Sequence, residues 1–223
     1  MRKNRGVNDQ PQSSPPLRLR LIARGTSAAM ARAPFLWPLL KRPTQRFWDK
    51  AAAGWDDRAA RGDRNAPLAA ACDLIEPAPR RILELGTGTG IGALMLAQRF
   101  PDAEIRAVDL SQAMIERARA KVPEEMRPRL HFDVADAAAL PHAGGSFDLV
   151  CQVNLPLYAR EIVRVLAPGG HVAIASTLGP RTPYYTPDRV LRRSFERLGL
   201  RVVSCGEAGA GTYFLAQRPA NAH

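Results

Sequence analysis

From residue 80 onward the chain alternates short apolar runs with amphipathic stretches. The runs at 80–86 (RRILELG), 104–110 (EIRAVDL), 129–136 (RLHFDVAD), 147–153 (FDLVCQV) and 171–177 (HVAIAST) are apolar nearly throughout. That pattern predicts strands buried on both faces. Between them, 91–100, 111–122 and 157–166 place apolar residues at helical spacing, the second with Ser111 as its N-cap. A further helix at 187–199 leads to strands at 200–206 and 211–217, joined only by EAGA. So short a link cannot make a parallel crossover, so this last pair runs antiparallel. The expected fold is α/β: a doubly wound, Rossmann-like seven-stranded sheet, mostly parallel, with a C-terminal antiparallel hairpin and helices on both faces.

Ahead of the first strand the pattern weakens. Residues 1–29 are basic, rich in Pro and Ser, and show no sustained period; they read as a disordered tail, or as sequence upstream of a start at Met30. Residues 30–79 are expected to form an N-terminal helical lid segment, one or two helices from about Pro43. Trp48, Trp55 and the Ala-rich stretch 66–71 supply its apolar faces, and Pro77 with Pro79 ends it.

The net charge of +11 invites a nucleic-acid partner. Only 4 of the 32 basic residues are lysine, however, and with the abundant alanine this skew reflects coding bias rather than a built patch. Six of them fall in the first 29 residues against Asp9 alone, and the rest are spread without interleaved aromatics. Nucleic acid is therefore not the expected partner. No apolar run approaches the roughly 20 residues of a membrane span. Cys72, Cys151 and Cys205 are far apart and form no CxxC pair. They are expected to be buried thiols in a reducing, cytoplasmic setting. No His, Cys and acid set has ligand spacing, and no metal is expected.

The chemistry centres on residues 83–92, LELGTGTGIG. Gly86, Gly88 and Gly90, with Thr87 among them, permit a close backbone approach after a strand and before a helix, where a nucleotide binds. Gly88-x-Gly90-x-x-Ala93 satisfies the dinucleotide pattern. Glu84 argues the other way, because a carboxylate aimed into the loop repels pyrophosphate and suits a ligand carrying ammonium and sulfonium groups. Alternatively Glu84 caps a neighbouring helix. Asp109 ends the second strand, where it can accept from ribose hydroxyls or serve the helix at Ser111. Asp136 ends the third, placed for an adenine amino group or for a turn before Pro141. Phe132 and Leu140 flank the purine or belong to the core.

ELGTGTG, AVDLS, ADAAALP, FDLV and RVLAPGG, in this order and spacing between about Arg80 and Gly170, resemble the class I S-adenosylmethionine (SAM)-dependent methyltransferases of small-molecule type. FWDKAAAGWDDR is similar to the N-terminal helix that in many members closes over SAM. The resemblance implies that residues 80–218 form a SAM-binding domain that methylates an O, N or C nucleophile of a small molecule. By that resemblance Glu84, Gly86, Thr87, Gly88 and Gly90 border the methionine part, Asp109 and Leu110 the ribose, and Asp136 with Ala137 the adenine. Trp55 and Asp56 would lie near the cofactor.

For the acceptor, Asn154, Pro156 and Tyr158 partly match the Asn-Pro-Pro-Tyr signature of amino-group methyltransferases, although Leu155 and Leu157 break it. Asn154 is expected to line the site more loosely. Tyr184 and Tyr185 in the loop LGPRTPYYTPD could stack on an aromatic acceptor, and Arg181 could attract an anionic one. His142 and His171 are expected at solvent-facing turns, so no catalytic base is assigned. Competing readings are a nicotinamide-dependent oxidoreductase, an RNA methyltransferase and a non-catalytic SAM-binding domain.

Overall fold

The computed structural model describes residues 37–56 and 64–220; the basic tail 1–29 lies outside the described residues. In chain order the elements are α1 (Trp37–Ala51), α2 (Ala66–Cys72), β1 (Arg81–Leu85), α3 (Ile91–Arg99), β2 (Glu104–Asp109), α4 (Gln112–Ala120) and β3 (Leu130–Val134). There follow β4 (Phe147–Val153), α5 (Ala159–Val165), β5 (Leu166–Ser176), α6 (Asp188–Glu196), β6 (Arg201–Ala208) and β7 (Gly211–Gln217). All seven strands form one sheet in the order β3-β2-β1-β4-β5-β7-β6. The first five pair in parallel, and β7 pairs antiparallel with both β5 and β6. This is the expected architecture.

Alternation along the central strands sorts the core into two layers. Ile82, Ile105, Ala107, Leu149, Cys151, Ala173 and Leu215 face α2, α3 and α4 through Leu68, Ala93, Leu96 and Ile115. Leu83, Leu85, Val108, Val150, Val172 and Phe214 face α5 and α6 through Ile162, Val165, Leu191 and Phe195. The period-2 geometry of a strand thus delivers one apolar set to each face. It also turns Glu84 toward the α3 side, between two residues that face the other way.

Three local features differ from the sequence reading. α1 begins at Trp37 and runs through Pro43 rather than starting there; Pro38 is tolerated in a first turn, and Pro43 costs one backbone bond to residue 39. The LAPGG segment, which falls between the expected helix at 157–166 and the expected strand at 171–177, is itself strand. Leu166 pairs with Phe147 and His171 with Leu149, with a bulge between, and the Gly169 N–H and Gly170 C=O bond to Arg218 and so extend the ladder. His171 is consequently buried, not solvent-facing. Cys72 and Cys151 are buried as expected, but Cys205 is exposed, because β6 is an edge strand whose side chains alternate outward. The Ser111 cap is present: its hydroxyl accepts the Met114 N–H at 3.2 Å. Phe132 and Leu140 belong to the core.

α6 is polar along most of its length and is held by Leu191 and Phe195. The Phe195 ring is fully buried and stacked on Phe214 of β7, centroids 5.9 Å apart. Phe195→Ala is expected to lower stability by about 3–5 kcal/mol, measured by urea unfolding. A loss below about 1 kcal/mol would mean that α6 is not anchored through this ring.

Candidate active site

β1 and β4 lie side by side where the strand order reverses, and their carboxyl ends open a crevice of the kind in which such sheets bind ligands. A cavity of about 230 Å³ occupies it, near the small end of ligand sites. Its floor is the loop after β1, and its walls include Asp109, Leu110, Asp136, Ala137, Asn154, Tyr158 and Tyr184, with Trp37, Trp48 and Trp55 from the N-terminal segment.

Glu84 lies at the bottom of this cavity, only 2% exposed. Its Oε2 accepts the Thr87 hydroxyl at 2.5 Å, and the Ala93 backbone amide in the first turn of α3 favours the charged form. The carboxylate lies beside the start of α3, whose N-cap, Gly90, has no side chain to offer. Glycine at 92 makes this possible, since a Cβ there would sit 2.0 Å from Glu84 Oε1. Burial pushes the Glu84 carboxyl up to about 7; the Thr87 bond opposes that and nearby Asp109 adds to it.

Asp109 links the glycine loop to α4. Its Oδ2 accepts the Gly88 N–H at 2.8 Å and its Oδ1 the Ser111 N–H at 2.9 Å. Burial raises its pKa, against the pull of the Ser111, Gly88 and Leu110 amides. Asp136 accepts the Ala138 N–H on Oδ1 at 2.9 Å, as a turn former does. Its Oδ2 is engaged by α1: the Trp37 indole N–H donates at 2.8 Å and the Lys41 ammonium lies at 3.0 Å.

Residues 82–170 match the family model described as a methyltransferase domain. The chain is 38% identical over 150 residues to a malonyl-[acyl-carrier protein] O-methyltransferase of Halorhodospira halophila, covering 64% of this chain and 50% of the relative. It is 44% identical over 112 residues to a demethylmenaquinone methyltransferase of Thermus thermophilus, covering 47% of this chain and 50% of that one. It thus spans about half the length of these curated relatives. The fold resembles a chain in the complex of the Haloferax volcanii Trm112 methyltransferase activator with a methyltransferase, at TM-score 0.64 and 18% identity over 77% of this chain and 97% of that one. A SAM-dependent methyltransferase from Mesorhizobium loti superposes at TM-score 0.56 and 18% identity, over 70% and 99%. Residues 82–170 belong to the methyltransferase-domain family.

Most residues singled out from the sequence converge on the one cavity: Glu84, Gly86, Thr87, Gly88, Asp109, Leu110, Asp136, Ala137, Asn154, Trp55, Tyr158 and Tyr184 all line it. Gly90, Tyr185 and Arg181 do not. At φ +84 and with its Cβ position 3.0 Å from both Ala118 and the Phe132 ring, Gly90 faces the core. Arg181 is exposed on the 3-10 turn Gly179–Arg181. Asn154 lines the wall with its amide already committed. Its Nδ2 donates to Thr177 Oγ1 at 2.9 Å, its Oδ1 accepts the Thr177 N–H at 3.0 Å, and its backbone takes φ 54. Left-handed backbone suits Asn better than most side chains, so this residue ties the end of β4 to β5. Asp56 accepts from Thr89 Oγ1 at 2.6 Å and pairs with Lys121, fastening the N-terminal segment to the glycine loop.

The sequence reading missed Trp37, Thr44, Trp48, Arg64 and Asn65 as wall residues. Trp48 is the hub, with Phe47, Trp55 and Tyr184 at ring-centroid distances of 5.2, 5.6 and 6.4 Å. The three tryptophans within 19 residues were the available signal.

The raised Glu84 pKa has a definite sign. Between about 4.5, its ordinary value, and about 7 the folded chain holds a proton that the unfolded chain has released. Stability therefore falls as pH rises through that window, by about 3 kcal/mol in order of magnitude. Glu84→Gln removes this contribution, so the stability of the variant relative to wild type should climb between pH 4.5 and 7 and then level off. Parallel pH profiles from denaturant unfolding would sink the assignment.

Proposed function

We propose that the chain binds SAM and transfers its methyl group to an O, N or C nucleophile of a small molecule. The observation that carries this reading is the Glu84 carboxylate seated against the N-terminus of α3. In a dinucleotide site that helix end receives the pyrophosphate. Here a carboxylate already lies against it, and a second anion would meet charge repulsion. A ligand carrying ammonium and sulfonium charge suits the same place. The packing of Gly90 into the core also weakens the dinucleotide pattern, whose second glycine serves close approach to phosphate.

In this reading Gly86, Thr87 and Gly88 border the methionine part beside Glu84, Asp109 accepts from the ribose hydroxyls, and Asp136 with Ala137 takes the adenine. Bound there, SAM supplies an electrophilic methyl carbon on a good leaving group. The protein's own task is then chiefly alignment. Trp48, Trp55, Pro183 and Tyr184 wall the remaining volume, which favours a flat or apolar acceptor. Burial, with Asp136 and Tyr184 nearby, pushes the Tyr158 hydroxyl well above its ordinary pKa, so it acts as a hydrogen-bond donor and not as a base. The described lining residues include no histidine or lysine. An acceptor that needs no early proton removal fits such a wall.

Relatives named for malonyl-[acyl-carrier protein] and for demethylmenaquinone support methyl transfer as the reaction class. No helix among the described residues is long and apolar enough to cross a membrane, and the free thiols of Cys72, Cys151 and Cys205 support a reducing, cytoplasmic location.

Calorimetric titration with S-adenosylhomocysteine, with NADH and NADPH as controls, tests the assignment. Micromolar binding of S-adenosylhomocysteine alone is expected, weakened at least about tenfold in Asp109→Asn, the loss of one or two charge-assisted bonds. Binding of a nicotinamide cofactor in its place would refute the reading.

A further inference from the structure

We propose that the first turn of α1 competes with the purine of the cofactor for Asp136, and that it swings outward about Pro43 when the purine seats. The inference rests on the SAM reading of the cavity. A carboxylate offers roughly four acceptor positions. At Asp136 three are taken: Ala138 N–H on Oδ1, and Trp37 Nε1 and Lys41 Nζ on Oδ2. The same Trp37 contributes to the cavity wall alongside Ala137 and Tyr158. A purine amino group seeking Oδ2 of Asp136 therefore meets an indole N–H and an ammonium that already fill both of its acceptor positions. The contest is between donors for one acceptor, which differs from a lid that gains contacts as the ligand arrives.

The helix is built to release one end and keep the other. Pro43 has no N–H and breaks the backbone ladder between the first turn and the remainder of α1. Beyond it, Asp49 Oδ1 accepts the Ser111 hydroxyl at 2.6 Å and the Ala113 N–H at 3.4 Å, on the N-terminus of α4. Trp48 packs there against Phe47, Trp55 and Tyr184. Before Pro43, Leu39 is 74% exposed, and no residue of α1 is fully buried. Trp37 and Lys41 tie this turn to Asp136, and Lys41, itself 42% exposed, can exchange the carboxylate for water at little loss.

Amide hydrogen exchange on the full chain, with and without S-adenosylhomocysteine, separates the two modes. The expected result is slower exchange at 84–92 and 109–114 together with faster exchange at 37–42. A Trp37→Phe/Lys41→Met double variant should bind S-adenosylhomocysteine at least about tenfold more tightly, the size of one hydrogen bond to a charged group. Slower exchange at 37–42 on binding, absence of protection there before ligand is added, or weaker binding by the double variant would each overturn the proposal. If wild type shows neither binding nor protection at 84–92, the SAM reading fails and this inference falls with it. Protection at 84–92 without release at 37–42 overturns the inference alone.

Discussion

The site depends on one buried carboxylate. Glu84 lies under the glycine loop, where desolvation of a charge is costly unless partners replace water. Its hydrogen-bond partner is the Thr87 hydroxyl, and the amide end of α3, Ala93 included, favours the charged form. The requirement propagates outward. Position 92 must lack a side chain, because Oε1 occupies the space. The loop must return over the carboxylate, so it is spanned from the other side by Asp109, which holds the Gly88 amide and the entry to α4. Loop, helix and second strand are thereby locked into one unit around a single acid.

Around this unit the stability is unevenly distributed. The central strands and the faces of α3, α4, α5 and α6 carry nearly all the fully buried side chains, whereas α1 carries none. α1 is joined to the sheet domain by polar links: Asp49 to Ser111, and Trp37 and Lys41 to Asp136. Just beyond it, Asp56 adds links to Thr89 and Lys121. Such an element belongs to the part of a protein that opens at low cost. A rigid floor with a polar-latched roof is a sound arrangement for a ligand that must enter and leave.

The fold was legible because its strands are apolar almost throughout and its helices are periodic, so the sheet, its closing hairpin and the Ser111 cap could be read directly. The three acids were legible for the same reason: each sits at or just past a strand end, where the topology forces it to one edge of the sheet. What escaped was set by contacts distant in sequence. Nothing near Asn154 announces Thr177, whose backbone and hydroxyl absorb its amide. Tyr184 and Tyr185 are equivalent in the sequence, and only the path of the loop sends the first to Trp48 and the second away from the cavity. Gly90 matches a dinucleotide pattern, yet Phe132 and Ala118 take the space beside it. Trp37 opens a stretch interrupted by Pro38 and Pro43, and its bond to a residue 99 positions away left no trace in the pattern.

The division between the readable and the unreadable follows a division of labour. Glu84, Asp109, Asp136 and Tyr158 fall inside the span matched by the methyltransferase-domain family, whereas Trp37, Trp48, Trp55, Arg64, Pro183 and Tyr184 fall outside it. The family span is the part of the cavity read here as the cofactor seat, and its constraints are local to strand ends and the glycine loop. The rest of the wall comes from an N-terminal segment and a loop after β5, elements that a fixed sheet can change without disturbing its core. In this chain those variable elements are heavily aromatic and gather on Trp48. On the proposed reading the ring cluster bears on the acceptor and the α1 latch over Asp136 on the cofactor, and the sheet beneath can stay the same while both change.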